Sequence, residues 1–173
     1  MTHPPAAPMP RPSVELLVCE SGHRWCDTAR RFVGPFQHAF LSAPPGGVPG
    51  VVPHTGPSEP VIAVRAVEHS KVRASIAGLP RAVILWEVGG DNAVPVALTL
   101  AQIGVGRPDL MQLIAIDAPS RRIGRRLALS MMELGARAVV QTPEDFADIA
   151  PLIRRYFQAS TEVRQTVRAI AAT

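Results

Sequence analysis

Residues 61–88 read VIAVRAVEHSKVRASIAGLPRAVILWEV and carry the clearest structural pattern in the chain. Residues 61–67 predict a strand, residues 68–79 predict a helix, and Pro80 separates that helix from the next element. Residues 82–88 are almost continuously apolar, which is typical of a strand buried on both faces of a parallel sheet. This stretch therefore predicts a β-α-β unit.

The segment before this unit predicts one more strand and one more helix. Residues 13–19 form a short apolar run, and residues 24–40 place apolar side chains at helical spacing, with a kink or stop at Pro35. A Pro-rich arm at residues 1–12 and a Pro/Gly-rich insertion at residues 42–60 do not fit regular structure. We expect both to be flexible.

The segment after the unit continues the alternation of strands and helices. It predicts a helix that is capped by Asp91 or Asn92 and ends at Gly104 to Gly106, followed by a strand at residues 111–116. A helix from Ser120 to Gly135 and a strand at residues 136–140 come next. The last predicted helix is capped by Asp148, and the tail at residues 158–173 either prolongs this helix or frays. Parallel strands joined by helices need right-handed crossovers, which place helices on both faces of the sheet. The sequence therefore predicts one three-layer α/β/α domain with a five-stranded parallel sheet over residues 13–157.

Apolar spacing also predicts which side of each helix is buried. For the third helix, the predicted core residues are Val96, Leu100 and Ile103. For the fourth helix, they are Ile123, Leu127, Met131 and Leu134.

Composition narrows the class of protein. Hydrophobic residues make up 47% of the chain, but no apolar run reaches the roughly 18 residues that span a bilayer. The N-terminus has no apolar segment behind a basic start, as a secretory signal would have. We therefore predict a cytoplasmic protein without a membrane partner, in which Cys19 and Cys26 are reduced.

The basic residues are seventeen Arg and one Lys, with a formal net charge of +4. Arg binds carboxylate or phosphate through a planar fork, so this bias favours anionic partners. Aromatic residues are only 5% and are not interleaved with the basic ones, which argues against a dedicated nucleic-acid binder.

Two local sequences resemble the receiver domains of bacterial response regulators. They are LPRAVILWEV at residues 79–88 and LGARAVVQTPEDF at residues 134–146. The resemblance covers roughly residues 13–157, without the insertion, and implies a receiver-like, flavodoxin-like fold.

In a receiver, two acidic residues after the first strand hold Mg²⁺, and an Asp after the third strand accepts the phosphoryl group. A Ser or Thr follows the fourth strand and a Lys follows the fifth, where it neutralises charge on the phosphoryl oxygens. The matching positions here are Cys19 and Glu20, Trp86 or Glu87, Asp117, and Thr142 with Pro143 beside it. Since only Glu20 keeps the expected chemistry, the resemblance implies a degenerate pocket, or pseudo-receiver.

The departures predict a non-catalytic domain that is not phosphorylated on Asp and carries no cofactor. Trp cannot accept a phosphoryl group, and Asp117 puts a carboxylate where phosphate oxygens would approach. Glu87 is either a permanent negative charge at the phosphoacceptor place or a plain strand-end residue that meets an Arg. The enzyme alternative is a metal or phosphate site in which Glu20, Glu87 and Asp117 converge.

Cys19, His23 and Cys26 have the spacing C-x3-H-x2-C, which is compatible with a zinc site or with a Cys/His nucleophilic pair. Zinc would need a fourth ligand, and His38 is the nearest candidate. Because Cys19 ends an apolar strand and Cys26 lies in a helix, we predict buried structural thiols instead.

The run RRIGRR at residues 121–126 is the most basic segment. In receivers the fourth helix, fifth strand and fifth helix bind partners, so the resemblance implies a partner-binding face. Its residues here are Arg121, Arg122, Arg125, Arg126, Arg137, Arg154 and Arg155. The leading hypothesis is a signalling adaptor that binds an acidic protein or a second copy of itself. The alternatives are a solvated helix face and an Arg-rich nucleic-acid-binding accessory protein.

Overall fold

A computed structural model describes residues 14–34, 61–118 and 120–171, with side chains described as far as residue 159. The predicted arm at 1–12 and insertion at 42–60 lie outside these ranges. In chain order the elements are β1 (Val14–Cys19), α1 (Arg24–Val33), β2 (Ile62–Ala66), a 3₁₀ turn (His69–Lys71) leading into α2 (Val72–Ile76), β3 (Ala82–Val88), α3 (Ala93–Gly106), β4 (Met111–Ile116), α4 (Arg121–Glu133), β5 (Ala138–Val140), a second 3₁₀ turn (Pro143–Asp145) and α5 (Phe146–Ala171).

The five described strands form one parallel sheet in the order β2-β1-β3-β4-β5, which confirms the predicted fold class. β1 and β3 lie at the centre, where Cys19 is paired with Trp86, while β2 and β5 form the two borders. The central strands are buried because helices cover both faces, and this explains the continuous apolar run of β3.

Two apolar clusters fill the spaces between the sheet and the helix layers. Trp25 of α1 and Phe146 of α5 lie in the cluster on one face. Trp86 of β3 and Leu100 of α3 lie in the cluster on the other face, which also receives α2 and α4. The predicted core residues of α3 are all buried, namely Val96, Leu100 and Ile103.

α4 packs through a different face from the one that its apolar spacing predicts. Gly124 and Met131 are its buried residues, whereas Ile123 is 43% exposed and Leu134, just after the helix, is 38% exposed. A Cβ at Gly124 would lie 3.6 Å from the Ile116 side chain, so the helix backbone lies close to β4 at this point. The prediction of Ile123 and Leu134 as core residues is therefore wrong.

Several helix boundaries also differ from the predictions. The helix predicted over residues 68–79 is only the 3₁₀ turn and α2, whereas α1 ends at Val33, shortly before the stop predicted at Pro35. α5 begins at Phe146, because Thr142 and Asp145 cap the turn that leads into it, so the prediction of Asp148 as its cap is wrong. Its backbone stays helical through Ala171 and so includes most of the predicted tail.

Two further predictions concern helix ends and membrane spans. Gly135 follows α4 with φ +109°, a left-handed conformation that favours glycine and ends the helix as expected. Within the described ranges, no helix combines the length and the apolar composition needed to span a membrane.

Candidate functional site

The residues predicted for a receiver pocket lie at one end of the sheet. Parallel strands bring their carboxyl ends to the same edge, which is where ligands bind in this class of fold. The seven positions are Cys19 and Glu20 at the end of β1, Trp86 and Glu87 near the end of β3, Asp117 after β4, and Thr142 and Pro143 after β5.

Glu20 caps the N-terminus of α1. One carboxylate oxygen accepts the Trp25 N–H at 2.8 Å, and the other accepts the Cys26 N–H at 2.9 Å. The first N–H groups of a helix have no partner within the helix and lie at the positive end of its dipole, so a carboxylate stabilises them. His23, the residue before the helix, provides no such bond. Both oxygens of Glu20 are therefore used in holding α1 against the sheet.

Glu87 holds the loop after β1. Its Oε2 accepts the Ser21 N–H at 2.8 Å, and its backbone carbonyl accepts the Asn92 side-chain N–H at 3.0 Å. Asn92 in turn accepts the Gly89 N–H at 2.8 Å. These bonds join the β1–α1 loop to the β3–α3 loop, and they show a structural use for this carboxylate.

Trp86 is fully buried and belongs to the core, and it also forms part of the wall of the cavity described below. Its indole N–H donates to Gln112 Oε1 at 3.2 Å, and Gln112 donates to the Leu100 carbonyl at 3.0 Å. The His69 ring lies against the indole, with centroids 5.9 Å apart. Gln112 is not among the site residues predicted from the sequence, where its only distinguishing feature is that it is polar within an otherwise apolar strand.

Asp117 and Thr142 lie at the positions of the receiver hydroxyl and Lys. Asp117 is exposed, and its backbone N–H donates to the Val88 carbonyl. Thr142 caps the turn before α5, where its hydroxyl lies 3.1 Å from Asp145 Oδ1. Burial favours the neutral form of Asp145, but hydrogen bonds from the Gln141 and Thr142 backbone outweigh it and lower the pKa of this carboxyl. Asp145 is a second residue that sequence analysis missed.

The described residues contain no group of three His, Cys, Asp or Glu side chains placed to hold a metal ion. Cys19 lies in the cluster that includes Trp86, while Cys26 lies in the cluster on the opposite face of the sheet, so they cannot share a zinc ion. Both thiols are buried, as predicted. Burial raises the pKa of Cys19 to about 12 and also raises that of Cys26.

A cavity of about 380 Å³ lies beside these residues, between α3 and the turn that holds His69. Ser21, Asn92 and Thr99 supply polar lining. Asn92 already bonds on both sides, and the Thr99 hydroxyl donates to the Pro95 carbonyl at 2.9 Å. Much of the polar lining is thus already hydrogen-bonded to backbone groups of the protein.

The predicted partner-binding arginines divide into two groups. Arg121, Arg122, Arg125 and Arg126 are exposed in the first two turns of α4, and Arg137 and Arg155 are also exposed. Arg154 instead donates to the Phe32 carbonyl at 2.7 Å and so ties α5 to α1. In the part of the chain that the structure describes, none of the four α4 arginines forms an ion pair.

The strand order and the helix layers define a receiver-like, flavodoxin-like α/β domain. Among solved structures, the chain is similar to a CheY-like protein, TadZ, from Pseudomonas aeruginosa PAO1, with a TM-score of 0.53 and 15% sequence identity. The match covers 83% of this chain and 92% of that chain. At this identity the likeness shows the fold. No family model matches the chain, and no curated protein matches it.

Proposed function

We propose that this chain is a pseudo-receiver: a signalling or adaptor domain that works through protein contacts and takes no phosphoryl group on an acidic side chain. The observation that carries the proposal is the commitment of the two pocket carboxylates, because Glu20 caps α1 and Glu87 binds the Ser21 N–H. Trp86 fills the adjacent strand position and is buried.

The charge balance at this edge supports the same proposal. Phosphoryl transfer needs positive charge beside the oxygens of the transferred group, which a receiver obtains from Mg²⁺ and a Lys. The single lysine of the chain, Lys71, lies in the turn before α2 and pairs with Glu68 at 2.8 Å. Asp117, which occupies the hydroxyl position, adds negative charge instead.

We further propose that the exposed arginines of α4, together with Arg137 and Arg155, contact an acidic protein partner in the cytoplasm. These guanidinium groups are exposed, and those of α4 have no carboxylate of their own within the described residues. Exposed Arg clusters of one sign steer association with acidic surfaces and fix its orientation.

The test is incubation with acetyl phosphate and Mg²⁺, followed by intact mass measurement, beside an intact receiver that becomes labelled under the same conditions. We expect no added phosphoryl mass on the wild-type chain. A thermal melt with Mg²⁺ and beryllofluoride, which mimics a phosphoryl group on a carboxylate, should show no shift. Labelling or stabilisation that disappears in Glu87→Gln would overturn the proposal and identify a working pocket.

A further inference from the structure

The outer face of α3 is the least expected surface of the molecule. The helix reads AVPVALTLAQIGVG and has no charged residue. On the side away from the core, Val94, Leu98 and Val105 are 71%, 61% and 87% exposed. With Ala101 between them, their spacing of four, three and four residues is that of a coiled-coil seam. Apart from Thr99 and Gln102 the helix is apolar, and a helix that is apolar on two opposite faces is typical of one that is covered on both.

The outer face of α4 repeats this spacing with charge. Arg122, Arg126, Leu129 and Glu133 are also four, three and four residues apart, and all are exposed. They lie opposite the buried residues Gly124 and Met131, because each is two residues away from one of them, which is roughly 200° around a helix. The stripe therefore runs from positive charge at its start to negative charge at its end.

The two stripes belong to one surface. α3 and α4 both cross back over the same face of a parallel sheet, so they run in the same direction. Their C-terminal ends are neighbours, since a Cβ at Gly104 would lie 3.8 Å from the Leu134 carbonyl oxygen. Of the nine large hydrophobic residues that are exposed in the described ranges, seven belong to α3, α4 or the residue that ends α4. The exposed apolar surface is thus concentrated on this helix pair.

We propose that this surface binds a second copy of the chain, with α3 and α4 of one protomer antiparallel to those of its partner. The proposal rests on the proposed function, in which the domain works through protein contacts. It assigns Arg122 and Arg126 to the second copy and leaves the other exposed arginines, Arg121, Arg125, Arg137 and Arg155, for an acidic partner. A two-fold axis across the helices pairs the α3 seam with itself, because the four-three-four spacing reads the same in both directions. It also places Arg122 of each protomer beside Glu133 of the other.

Charge explains why the antiparallel arrangement is favoured. Arg121 and Arg122 lie in the first turn of α4, at the positive end of its own dipole, and Glu133 ends the helix at the negative end. A parallel copy would bring the arginines of both protomers to the same end of the interface. An antiparallel copy brings them to the partner's carboxylate and the negative end of its helix, which offsets both unfavourable placements.

The size of the surface suits a reversible dimer. Helices of 14 and 13 residues are about 20 Å long and neighbours lie about 10 Å apart, so the pair presents a face of about 20 by 20 Å. That is about 400 Å² on each protomer, or about 800 Å² for the two together, which is below the roughly 1,200 Å² at which stable interfaces begin and is typical of weak, transient contacts. We therefore expect a monomer–dimer equilibrium that depends on concentration.

Sedimentation velocity of the full chain over a range of micromolar concentrations tests the proposal. The wild type should associate, and Leu98→Glu should be monomeric with an unchanged circular dichroism spectrum. Leu152→Glu is the matched control, because Leu152 is an exposed leucine of α5 outside this surface. It should associate like the wild type.

A charge swap tests the antiparallel register and does not depend on the leucine variants folding. Arg122→Glu and Glu133→Arg should each weaken association by about tenfold, which corresponds to about 1.4 kcal/mol. The double variant restores both pairs and should associate within about threefold of the wild type. A wild type that stays monomeric, or a double variant that does not recover, would overturn the dimer. Neither result bears on phosphorylation, which the acetyl phosphate test decides separately.

Discussion

Replacing Glu20 by Ala removes the carboxylate that accepts the Trp25 and Cys26 N–H groups at 2.8 and 2.9 Å. Both N–H groups are partly buried, and the side chain of His23, the residue before the helix, makes no capping hydrogen bond. Loss of an N-terminal cap costs about 0.5–2 kcal/mol, and hydrogen bonds to a charged group lie at the upper end of their range. We therefore expect Glu20→Ala to lower the free energy of unfolding by about 2 kcal/mol. Glu20→Gln keeps one acceptor oxygen but loses the charge, so about 1 kcal/mol is expected.

Urea unfolding at neutral pH, followed by tryptophan fluorescence, measures these differences. Asp117→Ala is the matched control, because this neighbouring carboxylate is exposed and accepts no hydrogen bond in the described residues. Its change should lie within about 0.5 kcal/mol. The sign of the change in unfolding free energy distinguishes two roles for Glu20, which are helix capping and binding of a cation. In an acidic cluster built for a cation, removing a carboxylate in the absence of that cation relieves repulsion and stabilises the fold. A Glu20→Ala variant as stable as the wild type, or more stable, would refute the capping role.

Three further predictions follow from buried and capping groups. Gln112→Leu should lower the free energy of unfolding by about 2–3 kcal/mol, because it leaves the buried indole N–H of Trp86 without its acceptor; a smaller loss in the Trp86→Phe background would show that the two side chains are coupled. Asp145 has a lowered pKa when folded, so its stabilising contribution is present above its unfolded pKa of about 3.9 and is lost as the pH falls through the folded value. The difference in unfolding free energy between wild type and Asp145→Asn should accordingly be constant above about pH 5 and shrink as the pH falls below about 4. A difference that stays constant at the lower pH would contradict the assignment. Cys19 and Cys26 should not react with a thiol reagent such as Ellman's reagent near pH 8 until the protein is denatured, because both are buried and their thiol pKa values are raised; rapid labelling of the native chain would count against the packing described.

The fold was predictable because its signal is spread over many residues. The run Ala82–Val88 indicated a strand covered on both faces, and the sheet places it at the centre. The spacing of Val96, Leu100 and Ile103 identified the buried side of α3 for the same reason: repeated apolar positions average over local irregularities.

α4 shows the limit of that method. Apolar spacing marks residues that avoid water, but it does not distinguish a face that packs on the sheet from one that packs on another molecule. Gly124 faces the sheet and has no side chain to signal it, while Ile123 and Leu134 carry the signal and are exposed. The two residues wrongly predicted as core, Ile123 and Leu134, therefore belong to the exposed apolar surface of this helix and its end.

The candidate site was only partly predictable. Position in a parallel sheet brought Glu20, Glu87 and Asp117 to the same edge, as expected. Which atoms they bond depends on loop geometry within a few ångströms, and residue type does not encode this. Glu20 could have been recognised from its place just before a helix whose preceding residue, His23, is a poor cap.

The borders of the sheet have a consequence for behaviour at high concentration. Sheets recruit extra strands along free backbone at their edges, and this is how fibrillar aggregates begin. Here β5 offers only three residues, and the guanidinium of Arg65 on β2 is held by Glu15 at 2.9 Å. Such short, charged margins are poor templates for another chain. At high concentration these molecules should therefore form closed dimers through α3 and α4, and they should not add strands to one another at the edges of their sheets.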